Sequence, residues 1–225
     1  MSSAHNLARR IDHTLLKPEA TEAQILTICD EALEHHFFGV CINSFWVPLA
    51  SRKLSSSAVR VVAVVGFPLG AAASESKVFE TSWAVQNGAQ EVDTVLNIGA
   101  LKSGKTQLIE SELKNIVSAA QGNPVKLILE THLLLESEMK LACLLAENAG
   151  VAFIKTSTGF SGGGARVEDI SKIRAWLSPQ TQIKASGGIR SLEDALALLE
   201  AGATRLGTSS GVALVTSQKI SGVEY

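Results

Sequence analysis

Short apolar runs rich in β-branched residues recur along the chain, separated by longer stretches whose apolar positions repeat with helical spacing. The runs are Ile11–Leu16, Gly39–Asn43, Val59–Phe67, Glu91–Ile98, Val125–His132, Ala152–Ser157, Gln182–Ser186 and Thr204–Thr208. Most are close to continuously apolar, the pattern of strands covered on both faces. The helical stretches are Thr21–His36, Ser74–Asn87, Gln107–Ala120, Glu136–Asn148, Val167–Leu177 and Leu192–Ala201. Thr21 and Ser191 are expected as N-caps, and Gly39, Gly88, Gly150 and Gly202 as helix stops. The tripeptides Asn87-Gly88-Ala89, Ala149-Gly150-Val151 and Ala201-Gly202-Ala203 repeat one turn, the kind that returns a helix to a parallel sheet.

Strands that alternate with helices predict an α/β chain with a parallel sheet. Eight strand–helix units in 225 residues average about 28 residues each, close to the size of a βαβ unit. That number of units closes most economically into a (β/α)8 TIM barrel, with an open doubly wound sheet as the alternative. No linker, low-complexity stretch or charge run divides the chain, so residues 1–225 are expected to form a single domain.

Hydrophobic residues make up 46% and charged residues 19%, which excludes a disordered chain. A net charge of −2 argues against nucleic acid or an anionic membrane surface as partner. The three cysteines form no CxxC pair and, being odd in number, do not fit a disulfide framework. No apolar signal core opens the sequence and no stretch approaches the length of a membrane span, so a soluble cytoplasmic protein is expected.

Against this background the ionisable residues inside strand runs stand out: Asp93, Lys126, Glu130, Lys155 and Lys184. A charge in a barrel interior costs several kcal/mol unless paired or neutralised. Lys155 and Lys184 fall late in their strands, each before a glycine-rich turn, and are expected to point into the mouth, where barrels carry their chemistry. Two ammonium groups about 5 Å apart at an effective dielectric of ~20 repel by about 3 kcal/mol, enough to leave one amine free near neutral pH. A free amine attacks a carbonyl to form a Schiff base. Under the alternative reading, the lysines pair with Asp93 and Glu130 in a structural network. Lys126, early in its strand, either joins that network or snorkels outward. Asp93 would serve as a general base or as a salt-bridge partner, roles that can coexist, and Asp12 would support the site.

The last two strands lead into Ser186-Gly187-Gly188 and the Gly207–Gly211 stretch GTSSG. Backbone N–H groups, serine hydroxyls and a following helix make an anion site, and barrels build phosphate sites from these two loops. The long stretch Ser157–Ala165 would contribute to this site or act as a lid. The five histidines show no metal-ligand spacing. Cys41 would face the mouth or be buried as a structural thiol. Tyr225 ends a Ser/Gly-containing tail that either frays or folds over the site.

Taken in order, IDHTLLKPEAT, VVGFPLG, EVDTVLNIGALKSG, AFIKTSTGF and IKASGGIR fall on five of the eight strand runs, spread over nearly the whole chain, and together they resemble the deoxyribose-phosphate aldolase family. The resemblance implies a class I aldolase on a (β/α)8 barrel. It would cleave 2-deoxy-D-ribose 5-phosphate reversibly into acetaldehyde and D-glyceraldehyde 3-phosphate, without a metal or other cofactor. It also implies the roles that residue physics leaves open. Lys155 forms the Schiff base with Thr156 supporting it, Lys184 lowers its pKa and relays protons, and Asp93 donates and accepts them. Gly187, Gly188, Ser209 and Ser210 contact phosphate, and a terminal tyrosine such as Tyr225 assists proton transfer. A homodimer or homotetramer is implied as the working form. Two readings compete: another phosphate-binding barrel enzyme such as a sugar-phosphate isomerase, and a catalytically silent phosphometabolite-binding protein.

Overall fold

A computed structural model describes residues 7–221, with side chains described through residue 216. Eight parallel strands close into one barrel in sequence order: β1 Ile11–Leu15, β2 Gly39–Asn43, β3 Arg60–Val65, β4 Glu91–Val95, β5 Val125–Ile128, β6 Phe153–Lys155, β7 Gln182–Ser186 and β8 Arg205–Thr208, with β8 pairing β1. The fold is therefore the expected TIM barrel. Helices α1 (Glu22–Glu34), α2 (Val47–Leu54), α3 (Ser74–Gln86), α4 (Ile98–Lys102), α5 (Thr106–Ala119), α6 (Glu136–Asn148), α7 (Val167–Trp176), α8 (Leu192–Glu200) and α9 (Gly211–Ser221) link or follow the strands.

Local chemistry accounts for the helix ends. Thr21 caps α1 through a reciprocal capping box with Gln24, and the Ser191 hydroxyl accepts the Asp194 N–H at the start of α8. Gly88, Gly150 and Gly202 follow α3, α6 and α8 with φ of 107°, 82° and 119°, the left-handed step the repeated turn requires. Gly39 departs from expectation. It opens β2 rather than ending a helix, and a Cβ there would meet the Arg60 carbonyl oxygen at 2.8 Å, so glycine is needed for close strand approach. The left-handed residue after α1 is His36, with φ 55°.

Three helices were not foreseen: α2, α4 and α9. The last occupies part of the stretch read as a tail. Tyr225 lies outside the described residues.

The main hydrophobic core lies between sheet and helices, with Ile42, Ala63, Leu127, Ile154 and Ile183 from the strands meeting Ile25, Ile109, Ala142 and Ile170 from the helices. Inside the barrel the apolar content is small: Leu16, Cys41, Val62 and Val64, with Phe67 packed against them. Most of the remaining interior is occupied by charge.

Candidate active site

Registered residues on parallel neighbours share a face, so the strand pairing itself assembles the charged groups. Asp93 on β4 lies beside Lys126 on β5, Lys155 on β6 lies beside Lys184 on β7, and Lys184 lies beside Arg205 on β8. Asp93 is fully buried and stands at the centre. Its Oδ2 accepts hydrogen bonds from Lys155 Nζ at 2.8 Å and Lys184 Nζ at 2.9 Å, while its Oδ1 accepts from Lys126 Nζ at 2.8 Å. The two ammonium nitrogens on Oδ2 therefore lie within about 6 Å of each other.

Lys184 also donates to Asp12, whose other oxygen accepts from Arg205 at 2.9 Å. Arg205 reaches Glu91 at 3.1 Å, and Glu91 contacts Lys126 at 2.5 Å. The Arg205 guanidinium lies 3.3 Å from the centre of the Phe38 ring and 5.3 Å from that of Phe153. The interior thus holds a closed circuit of charge in which Asp12 and Lys126, expected as supporting residues, are both full members. Lys126 does not snorkel outward.

Burial and pairing oppose each other in this circuit. Burial raises the Asp93 carboxyl, but Lys126, Lys155 and Lys184 outweigh it and hold the group well below the usual carboxylate range. Asp12 is likewise lowered, as Lys184 and Arg205 overcome its desolvation. For Lys184, burial pulls the ammonium down, yet Asp12 and then Asp93 win and leave it above the ordinary lysine range. This corrects the simple repulsion picture. A carboxylate stands between the two lysines, and Lys184 keeps its proton.

The lysines also differ in access. Lys155 lines a cavity of about 390 Å³ at the strand C-termini, whereas Lys184 is 0% exposed and does not line it. The expectation that both point into the mouth fails for Lys184 because Ser186, two residues later, takes the rim position on β7. Cys41 is buried too, its thiol 3.9 Å from Asp93 Oδ2 and raised by burial, so it faces the barrel interior rather than the mouth. Thr156 stays out of the cavity and clamps β6 to β7 through the Ser186 carbonyl and N–H at 3.0 Å each.

Gly187, Gly188, Ser209 and Ser210 line the same cavity as Lys155, together with Thr14, Thr158, Phe160 and two exposed cations, Lys17 and Arg190. The cations were missed by sequence reading. Their signal was position alone, one after β1 and the other before α8.

The stretch after Lys155 is pinned at several points. Thr158 donates its N–H at 3.2 Å and its hydroxyl to the Glu130 carboxylate. His132 contacts the Ser161 carbonyl at 2.8 Å, and the Ala165 N–H donates to the Gly187 carbonyl at 3.0 Å. A Cβ at Gly163 would meet the His132 ring at 2.1 Å, and one at Gly164 would meet the Gly187 oxygen at 2.7 Å, while Gly162 before them is left-handed with φ 85°. Glu130 lies past the end of β5 and, among the described residues, pairs with no lysine, contrary to the network reading.

A buried carboxylate bridging an interior lysine and a lysine that opens onto a cavity lined by cations, glycines and hydroxyls is an arrangement suited to imine chemistry. Comparison with known proteins agrees. Residues 7–216 match the model of the DeoC/LacD family aldolases. The chain belongs to that family. It is 53% identical over 216 residues to deoxyribose-phosphate aldolase of Streptococcus sanguinis, covering 96% of this chain and 98% of the relative. It is 51% identical to the enzyme of the same name from Carboxydothermus hydrogenoformans, with both chains fully covered. A solved structure described as the unique tetrameric structure of deoxyribose phosphate aldolase from Aeropyrum pernix superposes with a TM-score of 0.90 at 34% identity, covering 96% of this chain and 92% of that one. Among the described residues no helix is long and apolar enough to cross a membrane.

Proposed function

We propose that the chain is a lyase, a deoxyribose-phosphate aldolase of the Schiff-base class. It reversibly cleaves 2-deoxy-D-ribose 5-phosphate to acetaldehyde and D-glyceraldehyde 3-phosphate in deoxyribonucleoside catabolism. The observation that carries this reading is Lys155 opening onto the cavity while sharing Asp93 Oδ2 with the buried Lys184.

The Lys155 amine adds to the C1 carbonyl of the open-chain sugar, and loss of water gives an iminium. A base takes the proton of the 3-hydroxyl, the C2–C3 bond breaks, and its electron pair passes into the iminium to leave an enamine. Glyceraldehyde 3-phosphate departs. Protonation of the enamine at C2 and addition of water then release acetaldehyde and the free amine. Lys184, charged at rest, is the acid of the relay, and Asp93 is its acceptor and aligns both lysines. The iminium is the electron sink, so the reaction calls for no metal or organic cofactor.

The phosphate is held by Gly187, Gly188, Ser209 and Ser210, with Thr158 across the cavity. One catalytic domain, acting in the cytoplasm as a homodimer or homotetramer, completes the reading. The tetrameric relative from Aeropyrum pernix supports the assembly, and the net charge of −2 gives nucleic acid and membranes no purchase.

Borohydride reduction in the presence of acetaldehyde, followed by peptide mass spectrometry, tests the proposal. One ethyl group on the peptide containing Lys155 is expected. No adduct, or an adduct on another lysine, overturns it.

A further inference from the structure

Arg205 begins β8 and Glu91 begins β4, so their contact closes the charged circuit at the strand N-termini, the end away from the cavity. Lys155 is the last residue of β6 and stands at the opposite, open end.

The circuit draws on nearly every strand. Asp12 comes from β1, the Cys41 thiol from β2, Glu91 and Asp93 from β4, Lys126 from β5, Lys155 from β6, Lys184 from β7 and Arg205 from β8. From β3 the interior receives only Val62 and Val64. Above Lys155 the cavity adds the exposed Lys17 and Arg190. With the thiol neutral, the buried set contains four basic groups and three carboxylates.

Were every group ionised, the barrel would hold one uncompensated positive charge in an environment that tolerates none cheaply. Lys126 contacts two carboxylates, as do Lys184 and Arg205. Lys155 contacts one, and must share that oxygen with Lys184. It is also the member that opens onto the cavity and can pass a proton to water. The stacking of Arg205 on Phe38 fixes a cation that does not lose its proton at any ordinary pH.

We propose that Arg205 is a positioning residue for the nucleophile: by holding the buried circuit one positive charge in excess, it makes Lys155 the group that releases its proton. The inference rests on the aldolase reading above and deepens it. Arg205 touches neither substrate nor Lys155; it acts through Asp12 and Lys184 on one side and through Glu91, Lys126 and Asp93 on the other.

The test compares the pH dependence of kcat/KM for retro-aldol cleavage in the wild type with that in Arg205→Met, Arg205→Lys and Glu91→Gln. Two unit charges roughly 12 Å apart at an effective dielectric of ~20 interact by about one pH unit. Arg205→Met removes the excess charge, so the acidic limb of the profile moves up by about one unit. Arg205→Lys keeps the charge and leaves the limb in place, even where its overall rate is lower. Glu91→Gln increases the excess, so the limb moves down.

A merely structural role predicts loss at every pH with the limb unmoved and no difference in sign among the variants, and that result overturns the inference. Should Arg205→Met fail to fold, the downward shift expected of Glu91→Gln, set against the unmoved limb of Arg205→Lys, still decides it. Borohydride trapping of acetaldehyde on each variant separates the two levels. Absence of a Lys155 adduct in the wild type defeats the aldolase reading, whereas an adduct with an unshifted limb defeats only the role of Arg205.

Discussion

Lys155 Nζ lies 2.8 Å from Asp93 Oδ2, the same oxygen that Lys184 reaches from below at 2.9 Å. One carboxylate oxygen thus couples the lysine that meets the cavity to one that never does. The arrangement divides chemically identical groups by their surroundings: the enclosed lysine stays protonated between two carboxylates, and the one with a single carboxylate partner opens onto the cavity.

Replacing either lysine separates these roles. Lys155→Leu is expected to abolish both turnover and the acetaldehyde adduct. Lys184→Leu removes the acid of the relay and should lower kcat by roughly 10²–10⁴-fold, the usual worth of a positioned acid or base. It also removes a cation close to Lys155, so the surviving activity should have its optimum at higher pH. Steady-state rates across pH check this; full activity of Lys184→Leu at neutral pH would contradict the coupling.

How much of this was legible in the sequence depends on the distance over which each interaction acts. β2 and β7 occupy the residues expected of them, and the repeated glycine turns lie where predicted, because both are local patterns. β4 and β5 end earlier than their apolar runs do. Leu96 and Leu129 are buried beyond the last paired residues, and hydrophobicity alone does not register where the ladder stops. Asp93, Lys155 and Lys184 were legible as misplaced charges. Arg205 was not, because it looks like an ordinary strand-entry arginine until β8 meets β1 and brings it to Asp12, 193 residues away. Lys17 and Arg190 were invisible for a similar reason: exposed cations in loops carry no signal until the barrel closes.

Glu130 offers a test of the cavity wall. It adopts φ 58°, past the end of β5, and its buried carboxylate accepts both the N–H and the hydroxyl of Thr158. Glu130→Gln loses charge-assisted acceptance, so Thr158 and the segment behind it should hold their place less well. KM for the phosphorylated sugar is expected to rise several-fold with kcat changed much less, because the lysines are untouched. A fall in kcat with KM unaltered would show that Glu130 acts on the chemistry instead.

A second buried ion pair lies outside the barrel. Lys77 on α3 donates to Glu112 on α5 at 2.7 Å and to the Val95 carbonyl at 2.9 Å, and the Ser74 hydroxyl also bonds Glu112. Burial lowers the Lys77 ammonium while Glu112 opposes the shift. Glu112→Ala strands a buried cation and should destabilise the fold by about 3–5 kcal/mol in urea unfolding, whereas Lys77→Met with Glu112→Leu should recover most of that loss. Folded protein from either variant should retain wild-type kcat/KM, since neither residue approaches the cavity.

The interior carboxylates also set the response to acid. Asp12 and Asp93 both have folded pKa values below their unfolded ones, Asp93 strongly so. Groups depressed in this way contribute stability that is fully present above the unfolded value, near 3.9, and is lost as pH falls through the folded values. Unfolding free energy from urea titrations should therefore fall steeply below about pH 4, with protons taken up on unfolding. Asp93→Asn should lower stability at neutral pH by about 3–5 kcal/mol, because Lys126, Lys155 and Lys184 lose the anion they share. It should also flatten the acid slope, because one of the two titrating groups is gone. An unchanged slope in Asp93→Asn would mean that acid unfolding is governed by surface carboxylates and that the circuit inside the barrel contributes little to it.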